Sequence, residues 1–108
     1  MAHFTVDEML SMQRRLQEKY RDQWEPISPE TARQKLLWMV SEVGEGIDIV
    51  KKQGDEQIMR DAAVRAHFVE EMADVLMYFS DVLLCYGITE QELKQIHEAK
   101  FERNMSRW

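Results

Sequence analysis

A chain of 108 residues with 44% apolar and 31% charged positions is long enough for one domain, which we expect to span residues 1–108. Four Gly and two Pro are too few for the many turns of a small β-sandwich or barrel, so the composition favours long helices. The net charge of -6 argues against a nucleic-acid polymer as partner, because affinity for a phosphate backbone comes largely from clustered Lys and Arg.

The first helix is predicted to begin near Val6. The segment 5–8 (TVDE) has the spacing of a capping box, in which two side chains satisfy free backbone donors of the first turn. Apolar residues then recur at helical spacing toward Trp24, and Pro26 and Pro29 end the pattern.

The second helix is predicted to begin at Ser28 and Pro29, which suit the N-cap and the first helical position. It is expected to run to about Gln53, with Gly54 just after its last turn. The charged stretch 55–65 fits a loop, a short helix or the first turns of the third helix.

Two further helices complete the expected all-α fold, a four-helix bundle. A strong helical pattern from about Ala66 to Tyr86 predicts the third helix, and Gly87 stops it. The segment 89–92 (TEQE) repeats the capping box, so a fourth helix is expected to run toward Trp108.

No segment of the sequence indicates an oxidising compartment or a membrane. Cys85 is the single cysteine, so no internal disulfide can form, and we expect a small buried residue there rather than a nucleophile. Residues 1–8 lack the basic flank and apolar run of a signal peptide, and the longest apolar runs are too short to cross a bilayer. We therefore expect a cytoplasmic protein without a membrane partner.

The second helix carries two apolar stripes. One consists of aliphatic residues within about 40° of a common line, which predicts an ordinary core face. This aliphatic stripe comprises Leu36, Val40, Val43, Ile47 and Val50. On nearly the opposite side, Trp38 and Ile49 share a face with Glu42 and Glu45. We expect that face to meet another helix, a second subunit or a ligand. Two stripes also predict a homo-oligomer, most simply a two-fold dimer.

The second and third helices each carry an acidic pair, Glu42 with Glu45 and Glu71 with Asp74, whose members are one turn apart. If the pairs face each other, two carboxylates at about 5 to 6 Å repel by roughly 3 kcal/mol at an effective dielectric of 20. Protonation, nearby cations or a hard metal such as Mg²⁺ or Mn²⁺ would then compensate the charge. A solvated acidic face explains the spacing equally well. A di-iron bundle would need Glu-x-x-His pairs, which this sequence lacks.

The fourth helix carries Lys100, Asn104 and Arg107 on one side. Two cations and an amide beside a cation-bridged acidic cluster would suit the oxygens of a polyphosphate. Taken singly, basic residues in a last helical turn more often complement the helix dipole.

Three segments in this order carry a family resemblance: 41–45 (SEVGE), 70–78 (EEMADVLMY) and 100–107 (KFERNMSR). Their shared pattern, ExxE, ExxD and KxxxN with an Arg three residues later, resembles the all-α nucleoside triphosphate pyrophosphohydrolases of the MazG type. Within that group the chain is most similar to the compact dCTP pyrophosphatase-like members, and the match covers residues 24–107. Gly46 departs from the pattern, which usually has Leu there, and Lys52 stands where some members carry an aromatic residue near the base.

The resemblance implies a homodimer or homotetramer that cleaves a nucleoside triphosphate between its α- and β-phosphoryl groups, releasing a monophosphate and pyrophosphate. It implies Mg²⁺ as cofactor, with Mn²⁺ as a substitute. The implied metal ligands are Glu42, Glu45, Glu71 and Asp74.

The resemblance also implies roles for single residues at the substrate. Tyr78 and Trp24 match positions that contact the nucleotide. The phosphate-side motif is matched by Lys100, Asn104 and Arg107. For catalysis, the candidates are Glu45, which would position the attacking water, and Lys100, which would stabilise charge on the phosphates.

Two other functions fit the sequence. A non-catalytic helical module could use the acidic strips to contact a basic partner. Within the same superfamily, the substrate could be phosphoribosyl-ATP, although Trp24 and the KxxxN motif fit the nucleotide-cleaning branch better.

Overall fold

The computed structural model describes residues 3–107, and every element of regular secondary structure among them is helical. The all-α class is therefore confirmed. The four helices are α1 (Val6–Lys19), α2 (Ala32–Arg60), α3 (Ala62–Cys85) and α4 (Glu90–Met105), and a 3₁₀ turn, Pro29–Thr31, precedes α2. Within the described range no single helix is both long and apolar enough to cross a bilayer, and the one pair that passes jointly, α3 with α4, is bent by 109°.

Side-chain caps start α1 and α4 where the sequence predicts. Thr5 Oγ1 accepts a hydrogen bond from the Glu8 backbone N–H at 3.1 Å, and Thr89 Oγ1 accepts one from the Glu92 N–H at 3.2 Å. Asp61 Oδ1 accepts from two backbone N–H groups of the first turn of α3. Each cap satisfies donors that the helix cannot satisfy itself, which fixes the first turn.

The ambiguous stretch 55–65 is helical. Gly54, with φ of 84°, breaks the helical path of α2 at the predicted place, but helix resumes and α2 extends to Arg60. The Asp61 cap then starts α3 at Ala62, ahead of the predicted Ala66. At the other end of α3, Gly87 has φ of 64° and stops the helix as predicted. Trp108 lies outside the described residues.

Helix α1 ends at Lys19, earlier than the prolines require. The chain then turns, and the rings of Tyr20 and Trp24 stack with centroids 4.6 Å apart. This turn places Trp24 beside the start of α2 rather than on a continuation of α1.

The packing of α2 against α3 forms the centre of the fold. The two helices run antiparallel, and side chains of successive turns meet across what we call the α2–α3 seam. The meeting pairs are Lys35 with Asp81, Trp38 with Tyr78, and Glu42 with Asp74. Helix α1 packs on α3, and α1 contributes the buried side chains of Leu10, Gln13 and Gln17.

The prediction of an ordinary core face for the aliphatic stripe of α2 is wrong. Its residues are 38% to 63% exposed, whereas Ile49, on the opposite face, is 7% exposed. The α2–α3 seam uses the face that mixes aromatic, acidic and aliphatic side chains. Helical periodicity identifies a stripe that needs burial but does not say whether the same chain covers it.

Gly46 explains why α3 approaches this mixed face so closely. A Cβ atom at Gly46 would lie 2.8 Å from Met72 Cε and 3.8 Å from Phe68 Cε1. The departure from the Leu of the family pattern thus coincides with a close helix crossing, which offsets the helical cost of glycine.

Among the described residues, α1 and α2 each pack on α3, and α4 does not complete the predicted four-helix bundle. Helix α4 leaves α3 at 109° and has only marginal contact with the other helices of the described chain. Ile96, Phe101 and Met105 are consequently 53% to 68% exposed on α4.

The close crossing gives a test on stability. We expect Gly46→Leu to destabilise the protein by about 1 to 3 kcal/mol, because added methylenes force Met72 and Phe68 to move. The matched control is Gly44→Ala, where no atom lies within 4 Å of the added Cβ, and the higher helix propensity of alanine should stabilise by about 0.5 to 1 kcal/mol. Chemical unfolding of both variants measures the difference, and equal effects would contradict the assigned crossing.

Candidate functional site

Three of the four predicted acidic residues converge. Glu42 of α2 and Glu71 and Asp74 of α3 each offer a carboxylate oxygen within 4.8 Å of the others, and all three side chains are half-buried. We call these three residues the acidic cluster. Glu45, one turn after Glu42, is exposed and lies outside the cluster.

Glu71 carries the clearest sign of a missing partner. Its Oε1 lies 3.5 Å from Nε2 of His67, while its Oε2 is buried and accepts no hydrogen bond from any described residue. Leaving such an acceptor unsatisfied costs about 1 to 3 kcal/mol, and more when the group is charged. A proton or a cation at this place would remove the cost.

The electrostatics of the acidic cluster show the repulsion that the sequence predicts for facing acids. The hydrogen bond that Glu42 donates to Glu71 when it is protonated, burial, and the charges of Asp74, Glu71 and Glu45 raise the pKa of Glu42 from 4.5 to about 7. Burial and the charges of Glu71 and Glu70 also raise the pKa of Asp74. The cluster therefore favours a bound proton when no cation compensates it.

A cavity of about 520 Å³ opens beside the acidic cluster, within the usual size range of small-molecule sites. Its aromatic lining consists of Trp24, Trp38 and Tyr78, and Glu42 and Asp74 reach into it from the cluster. The structure thus brings the predicted nucleotide-contacting residues Trp24 and Tyr78 to the predicted metal ligands.

Tyr78 sits in the middle of the cavity wall. Its ring centroid lies 5.8 Å from that of Trp38, with the planes inclined by 52°. Burial and the charges of Glu42, Asp81 and Asp74 raise the pKa of its hydroxyl. Tyr78 is therefore a neutral hydrogen-bonding group at neutral pH.

At the far end of the cavity lies a buried polar network that the sequence analysis missed. Lys35 and Asp81 are each 3% exposed, and their Nζ and Oδ2 atoms are 3.8 Å apart. Gln17 Nε2 donates a hydrogen bond of 3.0 Å to Asp81 Oδ1. Burial raises the pKa of Asp81, while hydrogen bonds from Gln13 and Gln17 and the charge of Lys35 act in the opposite direction.

The sequence does contain a signal for this network. Lys35 stands seven residues before Glu42, and Asp81 stands seven residues after Asp74. Seven residues are two helical turns, so both side chains extend the mixed faces that form the α2–α3 seam. A lysine in a helix is normally solvated, which is why this spacing alone did not single it out.

The phosphate-side motif does not reach the cavity of its own chain. No α4 residue lines the cavity among the described residues, and Lys100 is exposed. Asn104 Oδ1 is buried and finds no hydrogen-bond donor among residues 3–107, and Arg107 follows the last turn of α4. One chain therefore brings together the acids and the aromatic residues but not the predicted cations.

The predicted burial of Cys85 is confirmed; its thiol forms no disulfide and lies 3.5 Å from Thr31 Oγ1. His67, beside Glu71, is 61% exposed at the edge of the acidic cluster. Neither residue lines the cavity beside the acids.

Comparisons with protein-family models, with curated proteins and with solved structures give no match to this chain.

The raised pKa of Glu42 predicts how stability depends on pH. Between 4.5 and about 7 the folded protein binds more protons than the unfolded chain, so the metal-free protein should lose stability as pH rises through this range. Thermal unfolding in the presence of a chelator should show this decline. Glu42→Gln should flatten it, because the amide does not titrate, and an unchanged slope in this variant would assign the effect to other groups.

Proposed function

We propose that this chain is a divalent-cation-dependent nucleoside triphosphate pyrophosphohydrolase of the MazG type. The observation that carries the proposal is the acidic cluster with its unsatisfied Glu71 Oε2, whose members Glu42 and Asp74 line an aromatic-lined cavity. A solvated acidic face, the alternative that the spacing left open, would not bury an unpaired carboxylate oxygen.

The donor set fits Mg²⁺ or Mn²⁺. Both ions prefer carboxylate oxygens, and neither needs imidazole or thiolate ligands. Glu42, Glu71 and Asp74 would hold the cation, and exposed Glu45 would join on the solvent side or position water. A bound cation supplies charge neutralisation for the triphosphate and lowers the pKa of a coordinated water.

The chain's own residues would bind and orient the nucleotide. Trp24 and Trp38 offer faces for stacking with the base, and the neutral hydroxyl of Tyr78 can donate a hydrogen bond near the cluster. Since the cavity is continuous between the acids and these rings, a nucleotide would place its phosphates and its base at opposite ends. The expected reaction is hydrolysis between the α- and β-phosphoryl groups.

A second copy of the chain would supply the remaining cations. The aliphatic stripe of α2 and the apolar residues of α4 are exposed in one chain, which favours burial in a homodimer or a homotetramer. In such an assembly, α4 of one subunit would bring Lys100, Asn104 and Arg107 to the acidic cluster of its partner. Lys100 and Arg107 would stabilise charge on the phosphates.

Catalysis is tested by measuring pyrophosphate release from a panel of nucleoside triphosphates with Mg²⁺. We expect activity that a chelator abolishes and that Glu71→Gln reduces about a hundred-fold or more, since even residues that only support a metal ligand contribute about ten- to hundred-fold. Glu70→Gln, at the exposed neighbouring position, is the matched control and should retain activity. A binding module would release no pyrophosphate from any nucleotide in the panel.

The shared site is tested by mixing two inactive variants. Glu71→Gln keeps α4 intact, and Lys100→Ala keeps the acidic cluster intact. If α4 acts on the partner subunit of a dimer, random mixing should restore about a quarter of the wild-type activity, because half of the dimers carry one complete site out of two. No recovery would assign α4 to its own chain.

In size-exclusion chromatography, the wild-type protein should elute at an apparent mass of no less than twice the 12.9 kDa of one chain. Val40→Glu, at a position 63% exposed in one chain, should shift it toward the monomer without unfolding it.

A further inference from the structure

We propose that the buried Lys35–Asp81 pair reads the nucleobase, with the Lys35 ammonium donating a hydrogen bond to a carbonyl oxygen on the base edge farthest from the sugar. This inference rests on the proposed function and names its substrate class: nucleotides with a keto group at that edge, as in uracil, thymine and hypoxanthine.

Lys35 is buried, and its charged end faces the cavity. Its side chain is 3% exposed and lines the cavity, where the ammonium contacts the Asp81 carboxylate and the face of the Trp38 ring. The nearest carboxylate oxygen, Asp81 Oδ2, is 3.8 Å away, which is beyond hydrogen-bond distance. A buried ammonium has three donors to satisfy, and a ligand acceptor in the cavity would satisfy one of them.

Asp81 is already satisfied by hydrogen bonds within the protein. Gln17 donates to its Oδ1 at 3.0 Å, and Gln13 supplies a further hydrogen bond. Asp81 therefore acts as a fixed counter-charge that holds Lys35 in place and leaves the ammonium available to a ligand in the cavity. The Lys35 ammonium therefore favours a ligand that places a hydrogen-bond acceptor at this end of the cavity.

The distance between Lys35 and the acidic cluster suits the length of a nucleotide. Lys35 lies two helical turns from Glu42 on the same face of α2, which is about 10.5 Å along the helix axis. A nucleotide whose phosphates lie at the acidic cluster would extend its base toward Lys35. The Lys35 Nζ lies over the face of the Trp38 ring, 5.4 Å from its centroid, so a base that enters the cavity from the acidic cluster would present its distal edge to the ammonium.

The chemistry of that edge decides the selectivity. Uracil and hypoxanthine place a carbonyl oxygen there, whereas cytosine and adenine place an amino group. An amino group would set donor against donor and leave the buried ammonium unsatisfied, and sites of this kind reject the wrong partner strongly.

The experiment compares matched nucleotide pairs on the full-length protein with Mg²⁺. The pairs are dUTP with dCTP and ITP with ATP, scored by kcat/KM for pyrophosphate release. Calorimetric binding of the non-hydrolysable α,β-imido forms is the second measurement. For the wild type we expect at least a ten-fold preference for the keto member of each pair in both measurements.

The variant that tests the assignment is the double substitution Lys35→Met with Asp81→Asn. It removes both charges at similar volume, and the asparagine oxygen can still accept from Gln17, so the fold should survive. The preference should fall to less than about three-fold, while Lys51→Met, at an exposed position of α2, should keep the wild-type ratio.

The outcomes separate this inference from the proposed function. If the wild type cleaves nucleotides without a keto preference, or if the double variant keeps the preference, the role of Lys35 is refuted and the proposed function stands. If no nucleotide is bound or cleaved, both are refuted. The wild-type comparison decides the question even if the double variant fails to fold.

Discussion

The antiparallel register of α2 on α3 is the constraint on which the rest of this structure depends. It pairs Lys35 with Asp81, Trp38 with Tyr78, and Glu42 with Asp74, so that charge, aromatic surface and acid follow one another along a single line. A shift of either helix by one turn would place the acids against the rings and separate the buried ion pair. Gly46 allows this register because a larger side chain would meet Met72.

Local features of the sequence predict the elements well, because their causes are local. Thr5 and Thr89 cap helices through their own hydroxyls, and Gly54 and Gly87 adopt positive φ values that other residues disfavour. The sequence also indicates that Glu42, Glu71 and Asp74 can converge, because helical spacing places each acid on a defined face of its helix. The interactions that decide these features lie within one or two turns of the chain.

Features that depend on packing between helices were harder to predict. The aliphatic stripe around Val40 has the better hydrophobic pattern, yet the face that holds Trp38 and Glu42 packs against α3. The sequence does not predict the burial of Lys35, because a single lysine gives no periodic signal. Its partner Asp81 lies on another helix, and Gln17, which donates a hydrogen bond to Asp81, lies on a third. The direction of α4 depends on the backbone around Gly87. Sequence periodicity does not encode how this turn orients the helix that follows it.

The α2 backbone also fixes the distance between the charged residues along the α2–α3 seam. Because Lys35 and the acids are joined by two uninterrupted turns of α2, their separation is set by the pitch of the helix and not by loop conformation. One residue inserted between them would rotate Lys35 by about 100° and remove it from the seam, whereas a whole turn inserted in both α2 and α3 would lengthen the cavity and keep its paired residues. Ligand length in such a cavity is therefore adjusted in steps of a helical turn.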